Sequence, residues 1–174
     1  MSWHRLSRQL TLIPFDPHQR PAKAFETLLP FYSLQAAVSY FGDSAAVEPE
    51  GWVQVDGVGR LNERMFVCRV VGRSMEPMLH DGDLAVFKAH PTGTLQGKIL
   101  LTQYRGPADP ETGGTCTIKR YSTTISRNET SGDQEKTVVL SPLNAEYEPK
   151  VFTKADIEDL KIIAELVTVL GKPL

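Results

Sequence analysis

The chain has 174 residues, of which 41% are hydrophobic and 23% charged, and its net charge is −2. This composition predicts one globular domain with a real core and excludes a disordered chain. The charge balance excludes a strongly basic surface, so we do not expect direct DNA binding. No apolar run approaches the roughly 20 residues that span a bilayer, and residues 1–6 lead into no signal-peptide core. We therefore expect a cytoplasmic protein without a membrane anchor.

Residues 1–33 form the first predicted segment, a short, irregular and extended arm. Prolines interrupt it at Pro14, Pro17, Pro21 and Pro30, so long helices are not expected. Residues 21–29 could form one short helix. A helix-turn-helix needs three packed helices, for which the arm has no room. Residues 34–50 follow as a separate segment before the strand-rich part of the chain.

From residue 51 to residue 174 the pattern is typical of a mostly-β domain. Short runs rich in β-branched and aromatic residues alternate with turn residues. The predicted strands are Trp52–Val55, Met65–Val71, Leu84–Phe87, Lys98–Tyr104, Thr115–Tyr121, Thr137–Leu140 and Glu146–Phe152. Residues 106–114 and 122–136 are predicted loops, and Thr153 to Leu160 a capped helical turn. The apolar run 162–170 fits a final strand or a helix.

One turn combines a serine with the backbone geometry that acyl chemistry needs. Ser74 lies in the run Gly-Arg-Ser-Met-Glu-Pro at residues 72–77, directly after an apolar strand. A strand-to-turn junction can present a hydroxyl together with free backbone N–H groups, as an oxyanion hole requires. Met75 would form an apolar wall beside the serine. An Asp-Gly-Asp turn follows, in which Asp83 is expected to bond backbone N–H groups.

A serine hydroxyl is a weak nucleophile until a base removes its proton. Lys119 could be that base, because it lies in the strand-like run Thr-Cys-Thr-Ile-Lys-Arg-Tyr. Burial of a lysine favours the neutral amine and lowers its pKa from about 10.4 towards about 7–8. Strand alternation places Thr117, Lys119 and Tyr121 on one face and Arg120 on the other.

The order of these motifs resembles the S24 family of Ser–Lys peptidases, which includes the LexA/UmuD-type proteins and shares its fold with type I signal peptidases. The resemblance covers roughly residues 29–170 and includes Leu140-Ser141-Pro142-Leu143-Asn144. It implies a LexA/signal-peptidase-like β-fold and a serine endopeptidase with Ser74 as nucleophile and Lys119 as general base. It also implies a homodimer, and latent self-cleavage promoted by a recombinase filament after DNA damage (the SOS response). A partner in a phage-defence system is a further expectation.

The resemblance makes residues 34–50 the cleavage-region-like segment, and the chain departs from the family at the bond that would be cut there. Self-cleaved members typically carry Ala-Gly, whereas the corresponding stretch here contains Ala37, Val38 and Ser39 and no glycine. We expect cleavage at Val38–Ser39 rather than at Ala37–Val38, with the segment around the bond in an extended conformation. Two alternatives remain open: a non-cleaving regulatory or dimerisation module on the same fold, and the peptidase domain of a transcriptional repressor.

The remaining reactive side chains predict no further chemistry. Cys68 and Cys116 lie in apolar runs and are expected to be buried free thiols rather than a disulfide. No histidines stand at ligand spacing from them, so we expect neither a metal nor a cofactor. His80 is expected to be an exposed loop residue rather than a catalytic base.

Overall fold

The computed structural model describes residues 10–107, 109–110 and 112–172. It contains one mixed sheet of ten strands, in the order β1-β3-β2-β4-β5-β10-β6-β7-β8-β9. The strands are β1 Leu12–Pro14, β2 Leu28–Tyr32, β3 Gly51–Gln54, β4 Met65–Arg69, β5 Leu84–Ala89, β6 Ile99–Tyr104, β7 Cys116–Arg127, β8 Gln134–Ser141, β9 Lys150–Phe152 and β10 Leu160–Gly171. The helical elements are α1 Leu34–Ala37, a π-helix Val38–Gly42 and a 3₁₀ turn Ile157–Asp159. The mostly-β prediction is confirmed.

The last part of the predicted arm, residues 28–32, forms a buried strand of the sheet, whereas residues 10–27 are mostly exposed and irregular apart from β1. Strand β2 is buried at all five positions and lies between β3, to which it is antiparallel, and β4, to which it is parallel. The helix predicted over residues 21–29 is absent there, because Leu28 and Leu29 join this strand. Pro30 is tolerated, since the pairing with β4 covers only Phe31 and Tyr32. Residues 1–9 lie outside the described part of the chain.

The loop predicted over residues 122–136 is also wrong. Strand β7 continues to Arg127 and pairs in register with β8, from Arg120 opposite Ser141 to Arg127 opposite Gln134. Its last four residues, 124–127, are exposed on both faces, so their mostly polar sequence reflects solvent exposure rather than a break in the strand. Thr123, Thr124 and Ile125 are β-branched residues that favour an extended backbone.

The C-terminal run forms a strand rather than a helix. Strand β10 lies between β5 and β6 and pairs antiparallel with both, with irregularities after Ile162, Leu166 and Val169. The helical turn before it is confirmed, but its N-cap is Asp156 rather than Thr153, and no side chain caps it. The Thr153 hydroxyl donates to Asp156 Oδ2 at 2.9 Å, and the Ile157 N–H donates to the Thr153 carbonyl at 3.0 Å.

The largest cluster of buried side chains joins the helical segment to the sheet. It includes Leu34, Ala37 and Val38 from the helices, Phe66 and Cys68 from β4, and Met75, Leu79, Cys116 and Ile118. Met75 and Ile118 are the chain neighbours of Ser74 and Lys119 respectively. The main core therefore anchors the two backbone segments that carry the predicted dyad.

Candidate active site

Ser74 lies on a turn between β4 and β5. Two aspartate carboxylates accept hydrogen bonds from backbone N–H groups of this turn. Gly72 has a φ of +89°, a conformation that favours glycine. Its N–H donates to Asp81 Oδ1 at 2.8 Å. The His80 N–H donates to Asp83 Oδ2 at 2.8 Å, which confirms the predicted turn-shaping role of Asp83. Only 5% of Ser74 is exposed, so the turn holds its hydroxyl against the domain.

Lys119 lies in β7 and its amine reaches the serine. Lys119 Nζ lies 2.7 Å from Ser74 Oγ, 2.8 Å from Thr117 Oγ1 and 3.2 Å from the Ile118 carbonyl oxygen. The alternation predicted for this strand is confirmed, because Ile118 belongs to the core while Thr117 and Lys119 share the opposite face. Arg120 is exposed. The dyad is thus within the distance that proton transfer requires.

A family model described as Peptidase S24-like matches residues 32–167. The chain belongs to the Peptidase S24-like family. The matched region begins at the end of β2 and reaches into β10, so it contains both Ser74 and Lys119. A comparison with curated proteins gives no match.

Two backbone N–H groups of this S24 domain are candidate oxyanion donors. The amides of Ser74 and Met75 take part in none of the hydrogen bonds found among the described residues. Met75 is 2% exposed and belongs to the main core, so its side chain forms an apolar wall under the serine. Backbone N–H groups beside a nucleophile can stabilise the negative charge of a tetrahedral intermediate.

A cleft of about 500 Å³ opens on one side of the dyad. Its walls come from Ser74 and Lys119, from the 106–114 loop through Asp109 and Pro110, and from the segment Tyr147–Val151. Leu140 is a fully buried wall residue. An extended peptide segment could enter here with its backbone beside Ser74 Oγ.

A narrow slit of about 10 Å³, at the lower limit of the space that one water molecule needs, also borders Ser74 and Lys119. Leu34, Gly72, Met75, Ile118 and Thr112 are among the residues that line it. The 106–114 loop therefore contributes to both pockets, since Asp109 lines the cleft and Thr112 the slit. The Thr112 hydroxyl donates to the Cys116 carbonyl at 3.1 Å, which holds the loop against β7. Leu34 lines the slit and is itself almost fully buried.

The residues predicted as the cleavage site are helical, not extended as the sequence predicts. Ala37 ends α1, and Val38 and Ser39 begin the π-helix. Ala37 is 0% and Val38 1% exposed. The Ser33 hydroxyl caps α1 by accepting the Ala36 N–H at 3.1 Å. These residues must unwind and leave the core before the bond between Val38 and Ser39 can reach a nucleophile.

Aromatic packing and a lysine hold the end of this helical segment. Tyr40 stacks on Tyr32 with ring centroids 5.6 Å apart, and Phe41 stacks on Phe66 at 4.5 Å. Lys161 of β10 donates to the Gly42 carbonyl and lies 3.4 Å from Asp43 Oδ1. This tertiary packing favours the helical conformation of Tyr40 and Phe41 over an extended one.

An ion pair borders the turn that carries Ser74. The Arg73 guanidinium donates to both carboxylate oxygens of Glu76, at 3.2 and 3.3 Å. This hydrogen bonding lowers the pKa of the Glu76 carboxyl and raises the pKa of Arg73. His80 Nδ1 lies 3.6 Å from Glu76 Oε1 and is half exposed. The histidine is a loop residue, as predicted, whose ring faces a carboxylate rather than Ser74.

Both cysteines are buried free thiols, as predicted. Each contacts the start of α1, because Cys68 Sγ lies 3.9 Å from the Ser33 carbonyl oxygen and Cys116 Sγ 3.9 Å from Gln35 Oε1. Within the described residues no helix has the length and apolar character needed to cross a bilayer. In that same part of the chain, no three His, Cys, Asp or Glu side chains form a metal-binding group.

Sequence reasoning missed three residues that surround the dyad. Thr117 was placed on the correct face but given no role, although strand alternation from Lys119 identifies it. Asn144 belongs to the run 140–144 that carries the resemblance, but the sequence assigns it no role. Leu34 comes from a segment distant in sequence, and nothing in its local pattern indicates that it lies beside Ser74.

Proposed function

We propose that this S24 domain is a serine endopeptidase in which Ser74 is the nucleophile and Lys119 the general base. The observation that carries the proposal is the 2.7 Å separation of Lys119 Nζ and Ser74 Oγ. Ser74 Oγ attacks the scissile carbonyl while the neutral Lys119 amine takes its proton. The ammonium then protonates the leaving amine, and water hydrolyses the acyl-enzyme. The Ser74 and Met75 amides stabilise the tetrahedral oxyanion.

The proposed substrate is the chain's own segment around Val38 and Ser39, or that of a partner copy. Its burial in α1 and the π-helix supports a latent activity, because unwinding must precede attack. A DNA-damage or phage-defence response fits such latency, with a recombinase filament or a defence-system partner as trigger and a homodimer as the acting form. These elements of the proposal come from the family rather than from the geometry.

The test is incubation of the purified chain at alkaline pH followed by N-terminal sequencing of any fragment. Raising the pH increases the fraction of neutral lysine, so cleavage should accelerate with pH. Ser74→Ala and Lys119→Ala should each abolish it. Ser126→Ala and Lys136→Ala are matched controls on the exposed β7–β8 hairpin and should cleave at the wild-type rate. Cleavage that survives Ser74→Ala, or that is fastest in acid, rules the mechanism out.

A second candidate is a non-cleaving regulatory or dimerisation module, including the peptidase-like domain of a repressor. The observation that favours it is the helical burial of Ala37 and Val38 together with the absence of a glycine at the bond. A chain that stays intact at alkaline pH, and whose Ser74 is not labelled by a serine-directed fluorophosphonate, would support this module.

A further inference from the structure

The segment between β8 and β9 is hydrogen-bonded to the turn that carries Ser74. The N–H groups of Leu143 and Asn144 both donate to the Ser74 carbonyl oxygen, each at 3.0 Å. The Asn144 side chain adds a third bond, from Nδ2 to the Arg73 carbonyl oxygen at 3.1 Å. Two consecutive carbonyls of the nucleophile turn are therefore held by one short segment about 70 residues further along the chain.

Holding these carbonyls also fixes the amides of the same peptide groups. In a trans peptide the C=O and N–H bonds point in opposite directions, and the cis bond among the described residues is Glu76–Pro77. The Arg73 carbonyl shares its peptide plane with the Ser74 N–H. The Ser74 carbonyl shares its plane with the Met75 N–H. Anchoring both oxygens on the Asn144 side turns both N–H groups away from that side.

Asn144 is itself held in place. Its Oδ1 accepts the Glu146 N–H at 3.0 Å, and its carbonyl oxygen accepts the Tyr147 N–H at 3.1 Å. The two ends of the amide therefore have different partners: Oδ1 stabilises its own turn, while Nδ2 reaches the nucleophile turn. An aspartate could replace only the first of these contacts, because its carboxylate has no N–H donor.

We propose that Asn144 is a positioning residue for the peptidase reaction, orienting the Ser74 and Met75 amides through the Arg73 and Ser74 carbonyls. The inference deepens the proposed function and rests on it for its catalytic meaning. The bond from Nδ2 to the Arg73 carbonyl depends on the asparagine side chain. The bond from the backbone N–H to the Ser74 carbonyl does not, because any residue except proline would supply it. The Arg73 carbonyl oxygen also accepts the Glu76 N–H at 3.2 Å, within the turn itself. Loss of Nδ2 removes the bond that comes from outside the turn and loosens the Arg73–Ser74 peptide plane, which misaligns both the oxyanion donors and the serine.

The test compares Asn144→Ser and Asn144→Asp with the wild-type chain. Serine is neutral, can still accept the Glu146 N–H, and is too short to reach the Arg73 carbonyl. Aspartate keeps the acceptor and places an oxygen where Nδ2 was. Asn128→Ser is the matched control, because Asn128 Oδ1 likewise accepts a turn N–H, that of Thr130 at 2.9 Å, far from the dyad in the hairpin.

The first readout is labelling of Ser74 by a fluorophosphonate, resolved into a maximal rate and a half-saturation concentration. The maximal rate should fall about 10- to 100-fold in both Asn144 variants, as misplaced reacting groups cause. The half-saturation concentration should stay unchanged, and Asn128→Ser should label as wild type does. Thermal unfolding midpoints equal to that of the wild type would show that the Asn144 variants lose positioning of the turn rather than the fold. Wild-type maximal rates in both Asn144 variants would overturn the proposal.

The second readout does not require activity. The ¹H–¹⁵N resonances of the Ser74 and Met75 amides should shift in both Asn144 variants and stay in place in Asn128→Ser. If wild-type Ser74 is not labelled at all, the proposed function fails while these resonances still decide whether Asn144 orients the turn. Unchanged Ser74 and Met75 resonances in Asn144→Ser and Asn144→Asp would show that it does not.

Discussion

The hydroxyl oxygen of Thr117 lies 2.8 Å from Lys119 Nζ, two residues further along the same strand. Thr117 is 3% exposed, so this hydroxyl replaces a water as a partner of the amine. Thr117→Val keeps the shape of the side chain and removes the oxygen. We expect Ser74 labelling and self-cleavage to slow about 10-fold or more, because the amine loses one of the contacts that aim it at Ser74.

Thr117→Ser is the matched control for this change, since it keeps the hydroxyl and removes only a methyl group. It should retain most of the wild-type rate. Labelling rates that fall equally in the valine and serine variants would assign the effect to packing rather than to the contact with Lys119.

Unwinding of the helical segment should limit self-cleavage, which Ser39→Gly can reveal. Glycine in a helix interior costs roughly 0.5–1 kcal/mol relative to alanine and lets an extended backbone bend freely. Ser39 lies in the π-helix Val38–Gly42. We therefore expect the fragment to appear several-fold faster, at a bond adjoining residue 39, while the far-UV circular dichroism keeps its β-dominated shape.

Ala46→Gly is the control for the glycine effect, because Ala46 is exposed and follows the helical segment without belonging to it. It should leave the rate of fragment formation unchanged. A Ser39→Gly protein that remains intact at alkaline pH would favour the non-cleaving module.

High pH should also lower the free energy of unfolding, because the buried thiol of Cys68 stays protonated only in the folded protein. Burial, with a smaller effect of Cys116 and Glu50, raises the pKa of Cys68 well above its usual value. The unfolded chain loses this proton above about pH 8.5, whereas the folded protein keeps it. The burial of the protonated thiol therefore makes its full contribution to the free energy of unfolding below that pH, and this contribution declines as the pH rises further.

Urea unfolding midpoints at about pH 7.5 and about pH 9.5 measure this effect. The midpoint should fall between the two conditions, and Cys68→Ala should reduce the difference. Cys116 leaves a residual slope, because burial raises its pKa as well. Burial also raises the pKa of Tyr32 to about 12, which adds a further decline above about pH 10. An identical pH dependence in Cys68→Ala would contradict the assignment.

Leu34 should control which groups can approach Ser74 from the slit. Leu34→Ala removes a 7%-exposed core side chain and should cost about 2–5 kcal/mol of unfolding free energy. It also enlarges the slit, so a bulky fluorophosphonate should gain labelling rate relative to a small one. Leu79→Ala is the control, since Leu79 belongs to the same cluster. Leu79→Ala should lose comparable stability and leave unchanged the ratio of the labelling rates of the bulky and the small fluorophosphonate. If this ratio is the same in the Leu34 and Leu79 variants, Leu34 is not the barrier.

The sequence predicts the contact between Ser74 and Lys119 better than the surroundings of these two residues. Ser74 and Lys119 could be paired because a serine on a turn and a lysine in a strand are what Ser–Lys peptidase chemistry requires, and because their order resembles the S24 family. The hairpin over residues 122–136 was missed because polar residues indicate exposure equally well in loops and in two-stranded arms. The helical state of Ala37 and Val38 was missed because a short run of alanine and valine has no decisive period, and packing against Phe66 and Cys68 selects its conformation.

The place of β2 between β3 and β4 has a consequence for what a cut would produce. A break between Val38 and Ser39 leaves β1 and β2 on the N-terminal piece, still hydrogen-bonded to β3 and β4 on the other piece. The cut protein would then be a nicked two-chain complex rather than a trimmed domain and a released peptide. The two fragments would migrate together in gel filtration and separate only in denaturant. Any signal carried by such cleavage would lie in the freed ends around residue 38, not in the departure of a segment.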